Sequence, residues 1–75
     1  MHKIIGRNIK LFRDRAHLSY VELSDKVFKK HSMYISPIEI LDFENGDEIS
    51  AIQLFYIALE LKVGMAELME ENPVF

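Results

Sequence analysis

Apolar residues recur at helical spacing from the start of the chain. Ile5, Ile9 and Phe12 lie three and four positions apart, and cationic residues fall between them. This period places the apolar side chains on one face of a helix and the charged side chains on the other. The pattern predicts an amphipathic helix over about residues 3–15, which Gly6 weakens slightly.

Three further helix starts share one signature, a serine followed three residues later by glutamate or glutamine. In such a capping box, the serine hydroxyl and the later side chain each bond a backbone N–H at the start of the helix. The three boxes are Ser19 to Glu22, Ser36 to Glu39 and Ser50 to Gln53. They predict helices that begin directly after each serine.

The helix after Ser36 is the most sharply bounded. Pro37 stands at its first position, where the backbone N–H has no partner within the helix, so proline loses no hydrogen bond there. Asn45-Gly46 ends the helix. Ile40 and Phe43 fall on one face of this helix. The rest of its surface is apolar and acidic, and it comprises Ile38, Glu39, Leu41 and Asp42.

Ile38 and Leu41 either form an exposed apolar pair for a partner protein or are covered, and we favour covering because exposed large apolar side chains lower solubility. The covering side chains would come from the connection that precedes this helix. The candidates are Phe28, Met33 and Tyr34.

The fourth helix carries a wide apolar stripe, and a last turn or two follows it before Asn72-Pro73. No segment has the alternation of a strand. We therefore expect a single all-α domain over residues 1–75 with five helices. Their predicted ranges are about 3–15, 20–30, 37–44, 51–62 and 65–70.

The net charge of −3 conceals an asymmetry between the two halves of the chain. Residues 1–31 hold eight of the nine Lys and Arg residues against three acids, whereas residues 32–75 hold nine acids and Lys62. The halves therefore carry about +5 and −8. A basic surface formed by the first half would attract nucleic acid, but the whole chain is not basic.

Several function classes find no support in the sequence. There is no cysteine, signal peptide or apolar run long enough for a membrane span, so we expect a cytoplasmic protein without a membrane partner. The three histidines lack metal-ligand spacing, and the capping role of the serines removes the obvious nucleophiles. We expect no metal, no cofactor and no enzymatic activity.

Four short motifs together resemble the phage repressor and Cro family of helix-turn-helix proteins, over about residues 4–70. As a set they are fairly specific, although each alone is weak. They are Ile5-Gly-Arg-Asn-Ile9, Leu18-Ser19 with Glu22-Leu23, Ile40 with Phe43-Glu-Asn-Gly46, and Ile57-Ala58 with Leu61-Lys-Val-Gly64. Relative to the family, about six extra residues, 28–33, lengthen the connection between the second and third helices.

The resemblance implies a five-helix repressor-like fold and sequence-specific binding of double-stranded DNA in transcriptional regulation, with the third helix in the major groove. It implies a structural ion pair between Arg13 and Glu44. It also implies a set of DNA-binding positions, near base edges or toward the backbone. These are Tyr20, Ser36, Ile38, Glu39 and Asn45; Lys29 and Lys30, in the extra segment that the family lacks, are added as DNA-binding candidates because of their charge.

Two departures from the family pattern leave alternatives open. Asp47 and Glu48 stand where the family often places Lys or Arg residues that bind phosphates. Lys29 and Lys30 either replace these missing phosphate contacts or form a solvated basic turn. The acidic third helix also allows a second function, a protein-interaction module that has lost DNA reading, as a partner or antirepressor of a regulator.

The family further suggests a homodimer formed through the C-terminal helix. The expected contact residues are Met65, Leu68, Met69 and Phe75, with Val74 beside them; the alternative for this set is ordinary core followed by a frayed tail.

Overall fold

A computed structural model describes residues 1–73, and these residues form five α-helices and no strand. The all-α expectation is confirmed at this level. The helices are α1 (His2–Arg15), α2 (Tyr20–His31), α3 (Pro37–Glu44), α4 (Ala51–Leu61) and α5 (Met65–Leu68). No helix within residues 1–73 is long and apolar enough to cross a bilayer.

All three predicted capping boxes are formed. The hydroxyl oxygens of Ser19, Ser36 and Ser50 each accept a hydrogen bond from the backbone N–H three residues later. In each box the side chain three residues after the serine accepts a hydrogen bond from the backbone N–H of the serine. The helix starts are thus fixed by contacts within four residues, which explains why the local sequence predicts them.

The C-terminal ends of α2, α4 and α5 differ from expectation by one or two residues, and α4 ends at Leu61. Helix α2 continues to His31, so the extra residues before α3 are partly an added turn of helix. Ser32 then ends it in the left-handed conformation with φ of 55°. Helix α5 stops at Leu68 rather than Glu70.

The loop between α2 and α3 is anchored from inside the molecule. Ile35 is fully buried, and the buried Ser24 hydroxyl donates a 2.6 Å hydrogen bond to the Ile35 carbonyl oxygen. These two contacts fix the loop that leads into α3. They determine the direction from which α3 begins.

The core is formed by one apolar face of every helix. Helix α1 packs on α3 and α5, and α2 packs on α3 and α4. Asn8 of α1 is fully buried, and its side-chain amide donates to the carbonyl oxygens of Leu68 and Glu70 at 2.9 and 2.6 Å. This amide satisfies carbonyl groups at the end of α5 and holds that end against α1.

Candidate nucleic-acid interface

Helix α3 is buried along one side only. Ile40 is fully buried and Phe43 is 5% exposed, because both side chains enter the core. Ile38, at the first turn, is 71% exposed. The helix therefore projects its N-terminal half away from the body of the molecule.

The expectation that Ile38 and Leu41 are covered is wrong, since Leu41 is also exposed. Phe28 and Tyr34 pack edge to face against each other, with ring centroids 6.1 Å apart, and each is more than half exposed. Met33 packs against the core instead. None of the three expected side chains therefore shields Ile38 from solvent.

An apolar groove of about 450 Å³ lies between α2 and the start of α3. Ser24 and Asp25 contribute to its lining. The apolar part of the lining, which we call the α2–α3 apolar surface, consists of Val21, Phe28, Tyr34 and Pro37. Pro37, the last member of this surface, is followed in the sequence by the exposed Ile38.

The opposite end of α3 is held by a cluster of three residues from three elements. The Arg13 guanidinium bonds the Glu44 carboxylate through two nitrogens at 2.6 and 3.2 Å, so the predicted ion pair is present. The Tyr20 hydroxyl donates to Glu44 at 3.2 Å, and its ring lies 4.2 Å from the guanidinium carbon of Arg13. Arg13 also donates to the Leu18 carbonyl oxygen at 2.7 Å.

Within this cluster, the Glu44 carboxylate changes the pKa of both Arg13 and Tyr20. The hydrogen bond that Arg13 donates to Glu44 raises the pKa of Arg13, which therefore stays protonated. Desolvation is the main cause that raises the pKa of Tyr20 above its ordinary value, and the nearby Glu44 carboxylate raises it further. The cluster joins α1, the start of α2 and the end of α3, and it fixes the orientation of α3.

Several predicted DNA-binding groups already have partners within the chain. The Tyr20 hydroxyl is bonded to Glu44, the Ser36 hydroxyl accepts from the Glu39 N–H, and a Glu39 carboxylate oxygen accepts from the Ser36 N–H. Among the predicted residues on α3, this leaves Ile38 as the most exposed side chain at the first turn. Asn45, at the C-cap, is exposed as well.

The two predicted basic residues of α2 have different surroundings. Lys29 pairs with Asp25 at 3.0 Å, one helical turn away, and its side chain is 73% exposed. Lys30 reaches toward α4, where its ammonium lies 3.6 Å from the buried Glu60 carboxylate. His31 bonds the other oxygen of Glu60 at 3.0 Å. The structure therefore brings Lys30 to α4 and not to α3.

Lys3 is a cation near α3 that the sequence analysis did not single out. Gly46 follows α3 with a positive φ of 101°, and its backbone lies against the aliphatic stem of Lys3. The exposed Lys3 side chain therefore stands beside Asn45 and the end of α3. No local signal could identify this neighbour, because the approach depends on how α1 crosses α3.

The predicted dimer contact at the C-terminal helix needs correction. Leu68 is fully buried in the core of a single chain, so it is not available to a second subunit. Met65 is half-buried against that core, whereas Met69 is 38% exposed. Val74 and Phe75 lie outside the described residues.

A different apolar surface, which the sequence analysis missed, lies on the outer side of α4. It consists of Ile52, Phe55 and Leu59, which are 55%, 45% and 44% exposed, and we call it the α4 outer stripe. The signal was present in the sequence, because these residues are spaced three and four apart, as an apolar helical face requires. The broader apolar stripe on the core side of α4 obscured it.

Within residues 1–73, no group of three histidine or acidic side chains is arranged to hold a metal ion. Comparison of this chain with models of protein families, with curated proteins and with solved structures finds no match.

Proposed function

We propose that the chain is a cytoplasmic transcriptional regulator that binds double-stranded DNA, with α2 and α3 as a helix-turn-helix unit of the repressor and Cro type. Helix α3 enters the major groove with its N-terminal half. The observation that carries this proposal is the mounting of α3: one side is packed into the core, the end is fixed by Arg13 and Glu44, and the first turn is exposed.

The exposed first turn supports a reading mode based on apolar contact. Ile38 carries no polar group, and in the major groove an aliphatic side chain recognises the methyl group of thymine. The Ser36 hydroxyl keeps its proton available to a base while it accepts from Glu39. Sequence preference would therefore arise from few contacts, mostly with thymine.

Phosphate binding requires cations near this helix. Lys3 stands beside the end of α3, and Lys29 lies on α2 in a solvent-exposed ion pair with Asp25. Exposed pairs of this kind contribute little stability, so Lys29 is free to exchange Asp25 for a phosphate. In the proposed complex, phosphate contacts from these two cations offset the repulsion from the acidic groups of α3.

The test is to measure binding of the full chain to a random duplex library at several salt concentrations, followed by sequencing of the retained duplexes. We expect an enriched motif and an affinity that falls steeply as salt rises. Lys3→Ala and Lys29→Ala should each reduce the salt slope by about one.

Lys26→Ala is the matched control for these variants. Lys26 is exposed on the same helix and lines one groove with Lys29, but it also lines a second groove together with Leu18 and Leu61 on the α4 side. The control should leave the salt slope unchanged. Failure of the wild-type chain to retain any duplex at low salt would refute the proposal.

A second function is favoured by the α2–α3 apolar surface, whose aromatic members Phe28 and Tyr34 are highly exposed. Exposed aromatic clusters of this kind are typical of protein-binding surfaces. A protein-interaction module would use this surface to bind a regulator rather than DNA. Phe28→Ser would abolish such binding, whereas Lys3→Ala would not affect it.

A further inference from the structure

The α4 outer stripe combines apolar exposure with a rigid aromatic centre. Ile52, Phe55 and Leu59 lie on one side of a helix whose other side is already buried in the core. Phe55 packs edge-on against Tyr56, with ring centroids 5.4 Å apart. A held aromatic ring flanked by aliphatic side chains is the arrangement found at the centres of protein interfaces.

Charged groups of opposite sign stand at the two ends of this stripe. Asp47 and Glu48 are exposed just before α4, and Lys62 is exposed at its C-cap. Within residues 1–73, none of these three has an ion-pair partner. Glu48 and Lys62 are separated by at least the length of α4, about 17 Å, so they do not reach each other within one chain.

We propose that the α4 outer stripe is the contact between two copies of this chain. The two α4 helices pack antiparallel about a two-fold axis, with Phe55 and Leu59 near the centre. Antiparallel packing brings Lys62 of each copy to Glu48 of the other. The surface is thus complementary to itself in charge, as a two-fold interface requires.

This dimer does not rest on DNA binding. The α4 outer stripe would replace the homodimer contact expected at the C-terminal helix, where Leu68 is buried within one chain. The partner is a second copy rather than another protein because the acidic and basic ends occur on the same stripe. An unrelated partner would need neither of these charges in this arrangement.

The first test is sedimentation equilibrium of the full chain without DNA, from micromolar to millimolar concentration. We expect reversible dimer formation, and we expect Phe55→Glu and Leu59→Glu to raise the dissociation constant by at least about tenfold. Both positions are about half exposed, so the variants should keep the wild-type helical content by circular dichroism. Leu11→Glu, at a similarly exposed leucine of α1, is the matched control and should leave the dimer intact.

The second test uses charge exchange to establish the antiparallel arrangement. Lys62→Glu places like charges opposite each other in its homodimer, and Glu48→Lys does the same with the opposite sign. A mixture of the two variants restores both ion pairs in a heterodimer. Native mass spectrometry should therefore show weakened homodimers and a predominant heterodimer.

A chain that stays monomeric up to millimolar concentration would overturn the proposal, and the stripe would then belong to a different partner. A dimer that is unaffected by Phe55→Glu and Leu59→Glu would overturn it as well. Preferential homodimers in the charge-exchange mixture would refute the antiparallel packing. Because these measurements contain no DNA, their failure is distinguishable from a failure of DNA binding.

Discussion

Gly6 of α1 lies directly against the backbone carbonyl of Phe43 in α3. A Cβ atom added at Gly6 would overlap the carbonyl oxygen of Phe43 and would also crowd the backbone of Glu44, 3.1 Å away. The absence of a side chain at this position permits the close crossing of α1 and α3. The same crossing brings Arg13 to Glu44 and Lys3 to Gly46.

Gly6→Ala should therefore destabilise the protein, although alanine is the better helix former. The gain in helix propensity is about 1 kcal/mol, whereas overpacking against a backbone atom typically costs about 1–3 kcal/mol and here affects two residues. We expect a net loss of about 1–2 kcal/mol in the free energy of unfolding, measured by urea denaturation.

Gly64→Ala provides the control, because a Cβ at Gly64 would meet only the Glu67 carboxylate, at an ordinary 3.6 Å. Because Gly64 is the N-cap of α5, where glycine is favoured over alanine, we expect a capping loss of about 0.5 kcal/mol and none from overlap. A Gly6→Ala protein as stable as the wild type would show that α1 and α3 can separate without loss. The close crossing would then not be a determinant of the position of α3.

Breaking the Arg13–Glu44 pair should be strongly destabilising. The two side chains are only 9% and 3% exposed, so Glu44→Gln leaves a nearly buried guanidinium with only the exposed Asp14 carboxylate, 3.4 Å away, as a counter-charge. Removal of one partner of a buried pair costs about 3–5 kcal/mol, and we expect a loss of about 3 kcal/mol in the free energy of unfolding. Thermal and urea denaturation would measure it.

The comparison variant is Asp25→Asn, which breaks the exposed pair with Lys29. Both side chains of that pair are more than half exposed. Its loss should therefore change the free energy of unfolding by at most about 0.5 kcal/mol. Equal losses for the two variants would mean that Glu44 has no special structural role.

The capping box at the start of α2 predicts a specific dependence of stability on acid. Hydrogen bonds from the Ser19 backbone N–H and the Ser19 side chain lower the pKa of Glu22 below its ordinary value of 4.5. A lowered folded-state pKa stabilises the protein above the unfolded-state pKa, and this contribution is lost as the pH falls through the folded-state value. Glu22→Gln should therefore be less stable than the wild type at neutral pH and equally stable in acid.

The box before α4 offers a matched control because its third position is the neutral Gln53. Gln53→Glu creates an ionisable box in the same geometry, so it should add a similar acid-sensitive component to the unfolding free energy. Urea denaturation between neutral pH and about pH 3 would measure both differences. A wild-type advantage over Glu22→Gln that persists unchanged in acid would contradict the assigned cause.

The helix starts could be predicted from sequence because each capping box is a contact between neighbours, as at Ser36 and Glu39. The importance of Gly6 could not, because a glycine within a helix has no local signal for a close crossing with a distant helix. The exposure of Ile38 could not be predicted from the sequence either. It depends on Phe28 and Tyr34 packing against each other rather than over α3, which only the tertiary structure decides.

The proposed reading mode leads to a test at the level of single methyl groups. If Ile38 contacts a thymine, then replacing that thymine by uracil removes the methyl group and leaves the hydrogen-bonding edge intact. We expect this replacement to weaken binding of the wild-type chain to its selected duplex by about 1 kcal/mol, or about fivefold, because one apolar methyl contact is lost. Binding by an Ile38→Ala variant should be weaker and insensitive to the replacement. Fluorescence anisotropy with the four combinations of protein and duplex gives the coupling between the two changes, and zero coupling at every thymine of the motif would exclude Ile38 as the reading residue.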